Sequence, residues 1–323
     1  MRLSGLFAFC AVAALAADSP FDGRWLITGK NGGPPRANWV EIKGAGTSSA
    51  SGSYVSAYNG DRNPINEIKI EGSDLVYVII TPEVKPRTTK QGKDVPGRPS
   101  QRLVYRAKLV DGKLDGSTTV EGGSRPPVVW TGVRAPVLPE KDDGSWKPGT
   151  PIEVFNGKDL SGWHSLSGEM GWRVEGGILK NNAGVRDLVS DQKFWNFDLH
   201  VEYKVGEHSN SGIGLRGRYE IQILEDYGRP PDTHSNGSIY SRVAPPVNAS
   251  KPAGEWQTYD IRLIGRQVTV KLNGKVLHNK VDIDGLTAMA SNADEAEPGP
   301  LQLQGDHGPV EFRKITLTPL VKK

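Results

Sequence analysis

Residues 210–226 read NSGIGLRGRYEIQILED, and the fold reading turns on that stretch. Ile213 and Leu215 alternate with Gly214 and Arg216. Beyond Gly217, Tyr219, Ile221 and Ile223 alternate with Glu220 and Gln222. Period-two patterning predicts extended strand with one face in a core. The opposite face is the unusual one. Arg216, Glu220 and Gln222 share it, and Asn210 opens the row. A planar five-donor fork, a carboxylate and an amide in line can hold a ligand rich in hydroxyls and carbonyls. The same row also reads as an intramolecular Arg–Glu pair that braces the sheet.

The pattern extends on both sides. Phe197, Leu199, Val201, Tyr203 and Val205 alternate with Asp198, His200, Glu202 and Lys204. Tyr259, Ile261 and Leu263 repeat it, and Val268, Val270 and Leu272 lead into Asn273-Gly274. Leu301 and Leu303 alternate with Gln302 and Gln304, and Phe312, Ile315 and Leu317 follow. Asn156-Gly157, Gly176-Gly177 and Asn273-Gly274 are read as two-residue hairpin turns. A dozen short antiparallel strands without intervening helix predict an all-β, two-sheet jelly roll over residues 151–320.

Upstream, residues 18–136 hold seven or eight further short strands, among them a pair joined at Asp111-Gly112, and predict a small antiparallel β-barrel. Its Gly23-Arg24-Trp25 start and late Trp130-Thr131-Gly132-Val133-Arg134 resemble the ends of lipocalin-like barrels, where a Trp packs under a closing Arg. Residues 82–100 are Lys, Arg, Pro and Gly with few apolar side chains, and are read as a solvated loop. Residues 137–150 are rich in Pro, Gly and charge, and are read as a linker.

Residues 1–16 are an address. Arg2 precedes an apolar run over 6–15, and Ala14-Leu15-Ala16 suits cleavage near Ala16, which predicts a secreted or periplasmic protein. The run is too short to span a bilayer. Cys10, the only cysteine of the 323 residues, lies inside it, so the mature form is expected to carry no disulfide. The net charge is +3 with the signs interspersed, and with no basic block or aromatic–basic stripe no nucleic-acid partner is expected. Oligomeric state has no sequence signal.

Several short motifs follow in one order. They are Gly162-Trp163, NSGIGLRG at 210–217, and Tyr219-Glu220-Ile221-Gln222 with Asp226. Gly237-Ser238-Ile239-Tyr240, Pro252-Ala253-Gly254-Glu255-Trp256 and Leu272-Asn273-Gly274 come next, then Leu303-Gln304 through His307-Gly308 to Phe312-Arg313. Together they resemble the 3-keto-disaccharide hydrolase family, from about residue 152 to 319. Gln257 and Lys314 depart from its usual Asn at two positions that read as structural. The resemblance implies a concanavalin- or laminin-G-like jelly roll whose concave sheet receives a sugar oxidised to a ketone at carbon 3.

Such a ketone acidifies the hydrogen on carbon 2, so a base can remove it and the carbon 1 substituent can leave by β-elimination, with or without water addition. Glu220 is the candidate base or metal ligand. Arg216 is the candidate for polarising the ketone oxygen, and His307, between glycines past a strand end, the candidate general acid or ligand. The alternatives are an Arg216–Glu220 salt bridge and an ordinary turn histidine. Asn210, Gln222, Tyr240, Gln302, Gln304 and Trp163 are candidate sugar contacts, although Tyr240 and Trp163 equally suit a core. No particular cofactor is identified from the sequence. An oxygen-rich divalent metal site drawing on Glu220, Asp226 or His307 is compatible with the sequence, while a closed zinc site lacks its histidines. The rival reading is a non-catalytic laminin-G-like carbohydrate-binding module.

Overall fold

In the strand Phe197–Val205 every odd residue is buried and every even one is only half covered, as the alternation predicts. The computed structural model describes residues 19–29, 38–55, 60–88 and 94–322. The proposed address segment, with Cys10, lies outside them. Among the described residues the fold is all β, and no helix is long and apolar enough to cross a membrane.

The C-terminal region is a two-sheet sandwich. The larger sheet runs Trp172–Glu175, Ile178–Asn181, Val310–Lys322, Phe197–Val205, Trp256–Ile264, Gln267–Leu272, Lys275–Asp282, with Trp146–Pro148 and Ile152–Glu153 also paired to Val310–Lys322. The smaller runs Trp163–Ser165, Leu188–Phe194, Gly299–Leu303, Asn210–Leu215, Tyr219–Leu224. Between them lie Phe197, Leu199, Tyr203, Ile213, Leu215, Ile221, Ile223, Tyr259, Phe312 and Ile315, all essentially without solvent contact. Each such side chain contributes about 1.5–3 kcal/mol by leaving water.

The N-terminal sheet is a single antiparallel path of nine strands whose ends are Arg62–Pro64 and Glu67–Glu71. Only Ile65 and Asn66 separate those ends, so they are one bent strand and the sheet closes on itself around Trp25, Ile42, Tyr77, Leu114 and Trp130. The Arg134 guanidinium caps one end, 4.2 Å from the centroid of the Trp25 ring. A separate cluster joins this barrel to the sandwich: Leu26, Trp39 and Val55 pack with Leu286 and Ala290, and Trp39 Nε1 donates to Leu286 O at 3.1 Å.

Three local expectations are corrected. The described part of residues 82–100 is a ribbon, with Val84 bridged to Arg98 and Arg87–Thr88 paired with Asp94–Val95. Backbone pairing there needs no apolar side chains. Within 137–150, Trp146–Pro148 is an edge strand on the larger sheet, and Asp142 N donates to Gln267 Oε1 at 2.9 Å. Asn156-Gly157 joins no paired strands. Asn156 Oδ1 instead accepts from the Lys158 and Asp159 amides, an Asx turn that satisfies the backbone locally.

Candidate active site

The opening stretch folds into two strands, with Leu215 opposite Tyr219 and a three-residue loop between them. Arg216 and Gly217 both take positive φ there, 55° and 62°. Register then fixes which side chains share the outer face of the smaller sheet. Gly214 lies opposite both Glu220 and Gln302, and Gly212 opposite Gln222. Gln304 N donates to Gly212 O, which carries that second row onward. On the far edge Ile221 bridges Ile239, and the Tyr240 amide donates to Glu220 O at 3.1 Å. Opposed residues of an antiparallel pair point the same way. One row is therefore Gln302, Gly214, Glu220, Tyr240, and the next is Gln304, Gly212, Gln222, Ser238.

The glycines make this possible. A Cβ on Gly212 would stand 2.5 Å from Glu220 Oε1, so the Glu220 side chain occupies the space that only glycine leaves. Residues around 287–289 close the row from above. Thr287 Oγ1 accepts from the Glu220 amide at 3.0 Å, and Met289 O accepts from Gln302 Nε2 at 3.2 Å.

The result is a buried face made of acceptors. Seven oxygens find no hydrogen-bond partner within the protein: both of Glu220, Asn210 Oδ1, Gln222 Oε1, Ser238 Oγ, Gln302 Oε1 and Gln304 Oε1. Leaving one buried polar group unpaired costs about 1–3 kcal/mol, so a cluster of them calls for donors from outside the chain. Burial pushes the Glu220 carboxyl up to about 8, helped by the negative charges of Asp187 and Asp306. Burial also pushes the Tyr240 phenol up to about 12, helped by Glu220, Asp61 and Asp306, so it stays a proton donor. His307 is half exposed at the rim, its Nδ1 2.5 Å from Asp306 Oδ1, and that hydrogen bond raises its pKa above the ordinary histidine value.

Glu220, Gln222, Gln302, Gln304, Asn210 and Tyr240 thus share one face, with His307 near its edge. Three other expectations are corrected. Arg216 does not face Glu220. Its left-handed backbone turns the side chain out of the strand's alternation, so the guanidinium lies 4.3 Å from the Trp195 ring centroid and 5.3 Å from that of Tyr219. Burial there pulls its pKa down to about 10, and its NH2 donates to Gly265 O. Trp163 belongs to the core between the sheets, its Nε1 donating to Val154 O at 2.9 Å. Asp226 is buried elsewhere, its oxygens accepting from Asn236 N at 2.9 Å and Ser250 Oγ at 2.6 Å. Glu220, Asp226 and His307 are accordingly not one ligand set. Among the described residues no group of three His, Cys, Asp or Glu side chains could hold a metal ion.

Sequence reading missed Asp187, Asp306 and Ser238. Asp187 accepts from Gln302 Nε2 at 2.7 Å and from Gly305 N at 2.9 Å, and so orients the amide of the first row. Asp187 precedes its strand by one residue and carries no periodic signal. Ser238 lies in a quoted motif, but only the cross-strand register places it beside Gln222.

The architecture is that of a β-sandwich protein with an acceptor-rich, carboxylate-centred site on its smaller sheet. The chain belongs to the family described as the 3-keto-alpha-glucoside-1,2-lyase-like domain, which it matches over residues 150–318. It is similar to the 3-keto-disaccharide hydrolase of Bacteroides thetaiotaomicron, 26% identical in an alignment 170 residues long that covers 41% of this chain and 56% of that one. The chain therefore spans little more than half the length of that curated relative. Two solved structures from Parabacteroides distasonis, both provisionally designated glycosyl hydrolases, are also similar. One is 33% identical, covering 56% of this chain and 92% of its own, with a TM-score of 0.46. The other is 23% identical, covering 53% and 94%, with a TM-score of 0.47.

Proposed function

We propose that the protein cleaves 3-keto-glycosides, with Glu220 removing the proton from carbon 2. The observation that carries the reading is the buried, unpartnered Glu220 carboxyl among five side chains that offer further free acceptor oxygens. Such a face suits a polyhydroxylated ligand, whose hydroxyls are the donors it lacks. The similarity to a 3-keto-disaccharide hydrolase supports the choice of substrate class.

In the proposed reaction the ionised Glu220 takes the hydrogen on carbon 2, and the electron pair moves into an enolate on the carbon 3 oxygen. The enolate then re-forms the ketone as a double bond develops between carbons 1 and 2 and the bond from carbon 1 to the leaving oxygen breaks. Tyr240, beside Glu220 and held protonated, gives its proton to that oxygen. Addition of water, with its oxygen going to carbon 1, its proton to the Tyr240 phenolate and the Glu220 proton back to carbon 2, makes the net change hydrolysis; release of the unsaturated sugar, with the Glu220 proton passing to the phenolate through solvent, makes it elimination. A base whose proton comes off near neutrality matches this task. His307 with Asp306 is a second proton carrier at the rim.

The test incubates purified protein with a 3-keto-glycoside and its unoxidised parent, with and without chelator. Wild type should turn over only the oxidised sugar, and Glu220→Gln should lose about a hundredfold or more of that rate. An active wild type whose Glu220→Gln variant keeps most of the rate removes Glu220 as base. Binding of the sugar without turnover would make the protein a carbohydrate-binding module.

A further inference from the structure

One loop of the barrel reaches the segment that carries Tyr240. Asp61 Oδ1 accepts from Ser241 Oγ and lies 3.5 Å from His234 Nε2. Ser241 Oγ and His234 Nε2 are themselves 3.4 Å apart. The His234 ring meets Tyr240 edge-on, centroids 5.0 Å apart at 83°. Tyr240 lies across the strand pair from Glu220. A short chain of contacts therefore runs from a barrel residue to the proton donor: Asp61, His234 with Ser241, Tyr240.

The loop that carries Asp61 is fixed from several sides. Asn63 Nδ2 donates to Asp61 O at 2.9 Å, inside the barrel. Gly60 sits so close to the sandwich that a Cβ would stand 2.7 Å from that of Ala288, one residue before Met289. One guanidinium, that of Arg242, donates to Gly60 O, to Asp284 Oδ1 at 2.9 Å and to Leu286 O at 2.9 Å. Arg62 reaches Asp284 from the barrel side at 3.3 Å. This clamp joins Gly60 and Arg62 of the barrel to the segment that carries His234, Tyr240 and Arg242.

We propose that Asp61 is a positioning residue for the sandwich's site, holding His234 and Ser241 so that Tyr240 stays beside Glu220. The barrel is then part of the site and not an appended module. The proposal rests on Tyr240 acting as the proton donor in the cleavage set out above. Asp61 makes no hydrogen bond to the Glu220 carboxyl, and its proposed effect passes through His234, Ser241 and Tyr240.

Two measurements test this, and only one needs turnover. With a 3-keto-glycoside, Asp61→Asn should lower kcat about 10- to 100-fold, the usual scale for misplacing a reacting group, while the unfolding midpoint stays near that of wild type. In a Tyr240→Phe background the same change should cost nothing more, because residues acting as one unit are not additive. Ser241→Ala, which removes the hydroxyl that Asp61 accepts, should move kcat in the same direction. A full loss on top of Tyr240→Phe would overturn the proposal.

The second measurement is an ultraviolet phenolate titration in which the wild-type minus Tyr240→Phe difference isolates Tyr240. The charged and titrating groups around it are Glu220, Asp306, His234 and Asp61. Removing the Asp61 charge should lower the Tyr240 midpoint, and an unmoved midpoint would overturn the proposal. If wild type turns over no 3-keto-glycoside, the cleavage reading fails by itself. The titration still decides whether Asp61 controls Tyr240.

Discussion

Glu220→Gln should make the protein more stable near neutral pH, even as it removes the proposed base. In the native state the carboxyl is fully buried with no protein partner, and its pKa is raised from 4.5 to about 8. In the unfolded chain it ionises at the ordinary value. Between these two pH values the folded state holds a proton that the unfolded state has released, so stability falls as pH rises. The loss begins above about 4.5 and is complete above about 8. At about 1.4 kcal/mol for each tenfold change in proton affinity, it comes to roughly 3 kcal/mol by pH 7 and levels off at roughly 5 kcal/mol above pH 8. Glutamine keeps the shape and does not titrate. Denaturant unfolding of both forms across this range, without ligand, isolates the group. Their stability difference should widen steadily from pH 4.5 to 8 in favour of the variant. A difference that stays flat with pH would show that the carboxyl is not held neutral by burial, and the electrostatic account of the site would fall.

Three further outcomes follow from the same geometry. Gly212→Ala puts a methyl 2.5 Å from Glu220 Oε1, so unfolding experiments should show about 1–3 kcal/mol of overpacking, with loss of turnover if Glu220 is the base. Arg216→Met should lower kcat by less than about tenfold, against about a hundredfold or more for a group donating to a developing oxyanion. A hundredfold loss would return Arg216 to the site. Asp226→Asn weakens the contacts to Ser250 and Asn236. It should cost about 1–3 kcal/mol on denaturation while leaving the KM of the folded enzyme in place.

The strands were legible because burial on one face imposes alternation; Phe197–Val205 shows it without interruption, and Asn210–Leu215 and Tyr219–Leu224 show it in side-chain type although both of their faces are covered. The polar row was legible in part for the same reason, since Glu220, Gln222, Gln302 and Gln304 all stand opposite buried neighbours. Arg216 was not, because a left-handed backbone at one residue breaks the parity on which the reading relied. Tyr240 and Ser238 depend on a single bridge, Ile221 to Ile239, between segments with no shared period. Trp163 and Asp226 have the right chemistry in the wrong place. Whether a polar or aromatic side chain meets ligand or core is decided by packing partners far away in sequence. The contact of Asp61 with His234 spans both sheet systems, and neither local sequence marks it.

The strand Val310–Lys322 lies in mid-sheet between Ile178–Asn181 and Phe197–Val205 and also pairs with Trp146–Pro148 and Ile152–Glu153. During synthesis the barrel's strands, ending at Arg134, can all pair with one another long before this segment exists. The sandwich cannot. Until residue 322 has emerged, its larger sheet holds an open slot with an unpaired edge on each side, and Phe312, Ile315 and Leu317 are missing from its core. Such a nascent chain is open to strand addition from other chains, and its last pairing joins residues as distant as Ile152 and Leu317, a separation that slows folding. A chain cut before residue 310 should therefore keep a formed barrel, and a peptide with the sequence of residues 310–322 is the piece shaped to complete the rest.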